Sequence, residues 1–189
     1  HAAIDTAIWD LYAKLLDCPV GIAMGGKTRE VRVYGSGGFN TVQSTEEAAN
    51  CAISYLKRGI KAVKPRVAGV RKDERVIEAV KNVIKEDTDL MLDANEKCDL
   101  PSALRLLEIA KNHSVLFVEE PLPAHDLSGY QHISSHSNCT VALGEHLQGI
   151  TEAQPFMADK LCSIIQPDLA MMGGLTECLR ISRYAEILG

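Results

Sequence analysis

Two hydrophobic periods take turns along the chain. Over residues 2–16 the apolar Ile4, Ala7, Ile8, Leu11 and Leu15 recur every three or four positions, with Asp5, Asp10 and Lys14 off that stripe; this predicts an amphipathic helix, which Pro19 and Gly21 end. Residues 31–34 alternate as a short strand and run into Gly35-Ser36-Gly37-Gly38. Ser44 and Glu47 have the spacing of a capping box, so a helix should cover 45–58 with Gly59 as its stop. A strand is expected at 61–67, a helix at 73–86 and a strand at 90–93. Pro101 suits the first turn of a helix that runs to about Asn112. Strands at 115–118, 140–143 and 163–166 then alternate with helices at 127–136, from Thr151, and at 175–188.

The expected strand ends fall near 38, 66, 93, 119, 145 and 168, a repeat of 28, 27, 26, 26 and 23 residues. Strand-then-helix alternation at that period means a parallel sheet with helical crossovers, and short apolar strands fit a sheet buried on both faces. A doubly wound sheet and a (β/α)₈ barrel both satisfy this pattern. The run Gly35 to Asn40 begins like a dinucleotide-binding loop but lacks the third glycine and does not open directly into a helix, which favours the barrel. A closed eight-stranded barrel takes about 250 residues. This chain has 189, and six strand–helix units are expected in it.

Composition narrows the partners. The net charge is −5, and the basic pairs Lys57-Arg58 and Arg71-Lys72 are too short to form a patch, so neither nucleic acid nor an anionic membrane surface is expected as partner. No apolar run approaches the 18 or more residues of a membrane span. The six cysteines are scattered, without metal-type spacing, and are expected as reduced thiols in a cytoplasmic protein. Because His1 leads straight into a helical pattern, the chain is expected to be part of something longer.

Candidate chemistry follows the repeat. Asp93, Glu119 and Glu145 each come just after an apolar run and lie 26 and 26 residues apart. In a barrel they would share the C-terminal rim, where active sites lie. Three converging carboxylates repel unless a cation neutralises them, and oxygen-only ligands suit Mg²⁺. The competing reading is that each acid merely caps the following helix. Lys64 and Arg66, at i and i+2, share one face of their strand and would add positive charge beside the metal; otherwise they decorate a basic edge strand. Asp168 has the corresponding position on the sixth strand, as a fourth ligand or as the carboxylate that orients a base. His146, beside Glu145, is the one histidine expected to face a ligand. Hydrolase motifs such as GxSxG and HExxH are absent.

Several stretches together resemble the enolase superfamily, in particular its mandelate racemase subgroup. They are Ala3 to Leu11 with Gly25-Gly26, Lys64-Pro65-Arg66, Asp93-Ala94-Asn95, Val118-Glu119-Glu120-Pro121, Gly144-Glu145-His146, and Gln166-Pro167-Asp168 with Gly173-Gly174. The resemblance implies a (β/α)₇β TIM-type barrel of which residues 1–189 are a partial catalytic domain, without the N-terminal capping domain and the last two strands. It implies Mg²⁺ held by Asp93, Glu119 and Glu145, supported by Asn95 and Glu120. Lys64 and the metal would hold a substrate carboxylate while a base removes the α-proton to give an enediolate. Asp168 looks like the aspartate of an Asp–His dyad whose histidine would come from a seventh strand. Arg66 stands where many members carry a second lysine. Arginine scarcely gives up its proton, whereas a racemase needs a base on each face of its substrate and a dehydratase manages with one. The expected reaction is therefore dehydration of an aldonic or aldaric acid sugar by a homo-oligomeric enzyme. A 2-hydroxy-acid racemase or epimerase and a truncated, inactive fragment remain as alternatives.

Overall fold

The computed structural model describes residues 1–189. In chain order its elements are α1 (Ala2–Leu15), α2 (Val20–Ala23), α3 (Thr45–Lys57), β1 (Ala62–Val63), α4 (Lys72–Val83), β2 (Asp89–Leu90), β3 (Leu92–Asp93), α5 (Leu100–Asn112), β4 (Val118–Glu119), α6 (Leu127–His136), β5 (Val141–Leu143), α7 (Ile150–Ala158), β6 (Ile164–Ile165) and α8 (Leu175–Leu188). They fall into two units, one made of residues 33–143 and 160–164, the other of 1–32, 144–159 and 165–189.

The first unit holds the sheet. β1 pairs with β2, and β3, β4, β5 and β6 follow one another; the registered pairs of β1 with β2, β3 with β4, and β4 with β5 are all parallel. The expected strand at 90–93 is divided between β2 and β3 because its N–H groups alternate between two neighbours. Met91 and Asp93 donate to Val63 and Pro65 on one side; Leu92 and Ala94 donate to Phe117 and Glu119 on the other. That alternation is what a central strand does. The strand expected at 31–34 does not form. Val31 and Val33 are well exposed, and pairing begins only at Gly35, which bridges Val63 in parallel. Glycine is required there, since a Cβ would come within 2.2 Å of the Tyr55 ring. Helix α3 starts with the expected Ser44–Glu47 capping box. α5 starts with a second one, Asp99 with Ser102, ahead of Pro101. Their buried faces, Ala48 and Ala52 on α3 and Ala103, Leu106, Leu107 and Ala110 on α5, supply the small and branched residues that let helices lie close to a sheet.

The second unit is helical. α1 anchors to α8 through polar contacts: the Asp5 carboxylate accepts the Thr176 N–H at 2.9 Å and the Thr176 hydroxyl, and Trp9 Nε1 donates to Thr176 Oγ1 at 2.9 Å. The apolar stripe read from the sequence is not buried: Ile4, Ile8, Leu11 and Leu15 are all exposed, with Ile4 and Ile8 lining an open recess beside Thr176. The short helix α2 lies outside the expected elements, since four residues carry too little periodicity to show. All six cysteines are free thiols, and no helix is long and apolar enough to cross a membrane.

Candidate active site

The period of two along a strand builds this site. Ala62, Met91, Phe117 and Ala142 form a buried apolar cluster with Ile164 packed against it. Residues two positions further along a strand emerge on the same face, so Lys64, Asp93 and Glu119 rise from the layer made by Ala62, Met91 and Phe117. Register aligns them: Asp93 pairs with Glu119, and Arg66 bridges Asp93. The strands deliver two cations and two carboxylates to one edge.

All but Arg66 are buried. Lys64, Asp93 and Glu119 are 5%, 2% and 3% exposed. The Lys64 ammonium donates a hydrogen bond to Glu119 Oε2 and lies 3.8 Å from Asp93 Oδ2. It also sits 4.9 Å from the centre of the Tyr34 ring, within cation–π range. Burial by itself would lower the Lys64 pKa, but the hydrogen bond and charge of Glu119, with the charge of Asp93, outweigh it and hold the pKa above the ordinary lysine value. Lys64 is a fixed cation here. Arg66 reaches the group from a more exposed position, with Nη2 3.5 Å from Asp93 Oδ2. Asp93 Oδ1 is buried and accepts no hydrogen bond, an anionic oxygen with coordination capacity to spare. Carboxylate oxygens of this kind suit a hard divalent cation.

The backbone just past the strand ends is left-handed at three residues that are not glycine: Asn95 (φ 44°), Glu96 (φ 63°) and Glu120 (φ 41°). Strained backbone of this sort gathers at functional sites. Here hydrogen bonds over-determine it. The Glu96 N–H donates to the Glu120 carbonyl at 2.8 Å and the Glu120 N–H to the Ala142 carbonyl at 2.9 Å, while the Glu96 carboxylate accepts from the Ala124 N–H. Glu120 is completely buried. Beside it Tyr130 donates to the Leu122 carbonyl at 2.7 Å, and burial, with the charge of Glu120, pushes the phenol pKa far up. The sequence reading missed Tyr34 and Glu96. Tyr34 stands just before the close-approach glycine, a weak clue; nothing in composition or spacing announces Glu96.

The remaining expected residues belong to the helical unit. His146 Nδ1 lies 3.8 Å from Glu145 Oε1, and both side chains are about two-fifths exposed. Gly144, immediately before them, has φ 138°, and a Cβ on it would touch the backbone of Gln166 at 3.0–3.1 Å. Asp168 is exposed. Its Oδ1 accepts the N–H groups of Ala170 at 2.7 Å and Met171 at 3.0 Å, so the carboxylate is held by the turn that follows it.

The parallel strands β1, β3 and β4 thus carry Lys64, Asp93 and Glu119 at or just past their carboxyl ends. Residues 46–189 match the enolase C-terminal domain-like family, and the chain belongs to that family. Over 98% of its length it is 29% identical to the D-gluconate dehydratase of Thermoproteus tenax, covering 39% of that protein. Over its whole length it is 31% identical to the D-galactarolactone cycloisomerase of Agrobacterium fabrum, covering 51%. The crystal structure of L-talarate dehydratase from Polaromonas sp. JS666 complexed with Mg and L-glucarate is similar with a TM-score of 0.90 and 29% identity, over 99% of this chain and 53% of that one. The chain thus spans about two-fifths to one half of the length of these relatives.

Proposed function

We propose that this chain carries the carboxylate-binding rim of a Mg²⁺-dependent acid-sugar dehydratase built on a TIM-type barrel. The observation that carries the reading is the buried group of Lys64, Asp93 and Glu119 at registered strand ends. Asp93 and Glu119 would be ligands, with Asp93 Oδ1 as the oxygen still lacking a hydrogen bond. Glu145 joins them because it continues the 26-residue phase of the other two. When bound, Mg²⁺ supplies positive charge for the substrate carboxylate and for the negative charge that develops as the α-proton leaves. Asn95 and Glu120 support the ligands through the left-handed turns that aim them.

Within this reading Lys64 is an electrostatic clamp. A buried cation fixed in advance costs no reorganisation when charge develops beside it, and removing one such donor typically costs about 3–4 kcal/mol of barrier. Arg66 remains cationic and orients the substrate through its planar donor fork. Asp168 orients the base that takes the α-proton, and His146 contacts substrate near the metal. The dehydratase and mandelate racemase-like relatives support chemistry α to a carboxylate. Arg66 favours dehydration over racemisation, because an arginine is a poor second base.

The test is turnover of a panel of aldonic and aldaric acids and their lactones by the whole protein that carries this chain, with and without Mg²⁺. The expected product is a 2-keto-3-deoxy acid that appears only with the metal. Racemisation or epimerisation with no keto acid would overturn the assignment, and a lactone-derived product without water loss would move it to the chemistry named for the Agrobacterium relative.

A further inference from the structure

Helix α6 carries a pair of histidines that the site above does not use. His132 and His136 are four residues apart, so their side chains share a face, and both are exposed. Their rings stack with centroids 4.0 Å apart and planes 12° from parallel. His136 Nδ1 lies 2.9 Å from the His132 carbonyl oxygen and 2.9 Å from Ser135 Oγ, and the Ser135 hydroxyl donates to that same carbonyl at 2.9 Å. A carbonyl oxygen only accepts, so the contact is satisfied by a hydrogen on Nδ1, the tautomer that leaves Nε2 as the nitrogen to offer an ion. Metal-ligating histidines are arranged this way: one ring nitrogen is fixed by donating to a carbonyl, and the other is offered to the ion. Two histidines at i and i+4 on a helix also have the spacing by which zinc-binding helices hold their metal.

We propose that His132 and His136 form a two-imidazole chelate for a divalent transition ion, bound through Nε2 of each ring with water completing the coordination. Copper(II) binds tightest, with nickel and zinc weaker, as expected for nitrogen donors. The rings need only open from their near-parallel stack for the two lone pairs to converge. Magnesium, which demands oxygen ligands, does not compete, so this position is chemically separate from the carboxylate rim. An ion that binds the folded helix and not the unfolded chain stabilises the fold by mass action, and the chelate pins the last turn of α6.

Titrating copper(II) into the protein in excess Mg²⁺ tests this, read by calorimetry and by the nitrogen hyperfine structure of the copper resonance. The expected result is one ion with two imidazole nitrogens, no displacement by Mg²⁺, and affinity at least about tenfold lower in His132→Gln and in His136→Gln. Both positions are on the surface, and an unchanged circular dichroism spectrum checks that each variant folds. The controls are His1→Ala and His113→Ala; the latter residue shares donor atoms within 4.8 Å with Glu74 and Glu78. Unchanged affinity in the α6 variants, or loss of binding in either control, overturns the proposal.

Discussion

Lys64 and Glu119, 55 residues apart in the chain, meet as a buried, hydrogen-bonded ion pair. Each leaves water only because the other is there. A buried charge stripped of its partner is costly, about 3–5 kcal/mol, whereas replacing both partners by apolar groups is often neutral. Glu119→Ala is therefore expected to destabilise the fold by that amount, and the double change Lys64→Met with Glu119→Leu to recover most of it. Guanidinium unfolding of the three proteins measures this. On this expectation Glu119 supports the fold as well as any chemistry at the site.

The same pair sets the terms of metal binding. Lys64 occupies an oxygen that a cation at Asp93 and Glu119 would also use. A hydrogen bond to a charged group contributes about 1.5–3 kcal/mol, so Lys64→Met is expected to tighten Mg²⁺ binding by roughly tenfold or more, while Glu119→Ala abolishes it. Calorimetric titration distinguishes the two directions. Wild-type Mg²⁺ affinity in Glu119→Ala would remove Glu119 from the ligand set.

Acid should loosen the contact between α1 and α8. The Thr176 hydroxyl, and then the Thr176 N–H, hold the Asp5 carboxyl below its ordinary pKa. A group whose folded pKa is depressed contributes stability above its unfolded value, and that contribution is lost as pH falls through the folded one. The contact is thus intact above about pH 4 and released below it. Trp9, the only tryptophan, donates to the same threonine and reports the release by fluorescence. In Asp5→Asn the acid-dependent change should disappear.

Tyr130 gives the opposite sign at the other end of the scale. Burial, then the charge of Glu120, raises its pKa, so the phenol stays un-ionised in the fold well above pH 10. Its contribution is complete below the unfolded value and fades as pH climbs toward the folded one. Tyr130→Phe removes the hydrogen bond to Leu122 and should cost about 1–1.5 kcal/mol at neutral pH, measured by denaturant midpoint. The variant should show a smaller ultraviolet phenolate signal only once the protein unfolds in alkali.

What the sequence made legible follows the range of each signal. Caps and helical period are local, so α3 was placed to within a residue by Ser44, Glu47 and Gly59, and α5 by Pro101. The phase of Asp93 and Glu119 was legible because parallel register preserves the repeat. The strand expected at 31–34 failed because alternation says that a segment can pair, not that a partner lies alongside; pairing began at Gly35, where the Tyr55 ring leaves no room for a side chain. Nor did the stripe of Ile4, Ile8, Leu11 and Leu15 reveal that α1 is held through Asp5 and Trp9. Which carboxylate Lys64 would take, and that Tyr34 would stand under its ammonium, depends on side-chain reach across strands, which spacing does not encode.

The left-handed turns at Asn95, Glu96 and Glu120 have a consequence for how these positions tolerate change. That conformation costs a residue with a Cβ about 1–2 kcal/mol, and glycine and asparagine escape most of it. In a saturation library selected only for abundance, glycine and asparagine should rise at 96 and 120, and Asn95 should already be near its best. Selected for turnover instead, the same library should restore glutamate at 120 if its carboxylate matters to the chemistry. The gap between the two enrichment profiles, position by position, separates what the backbone wants from what the reaction requires.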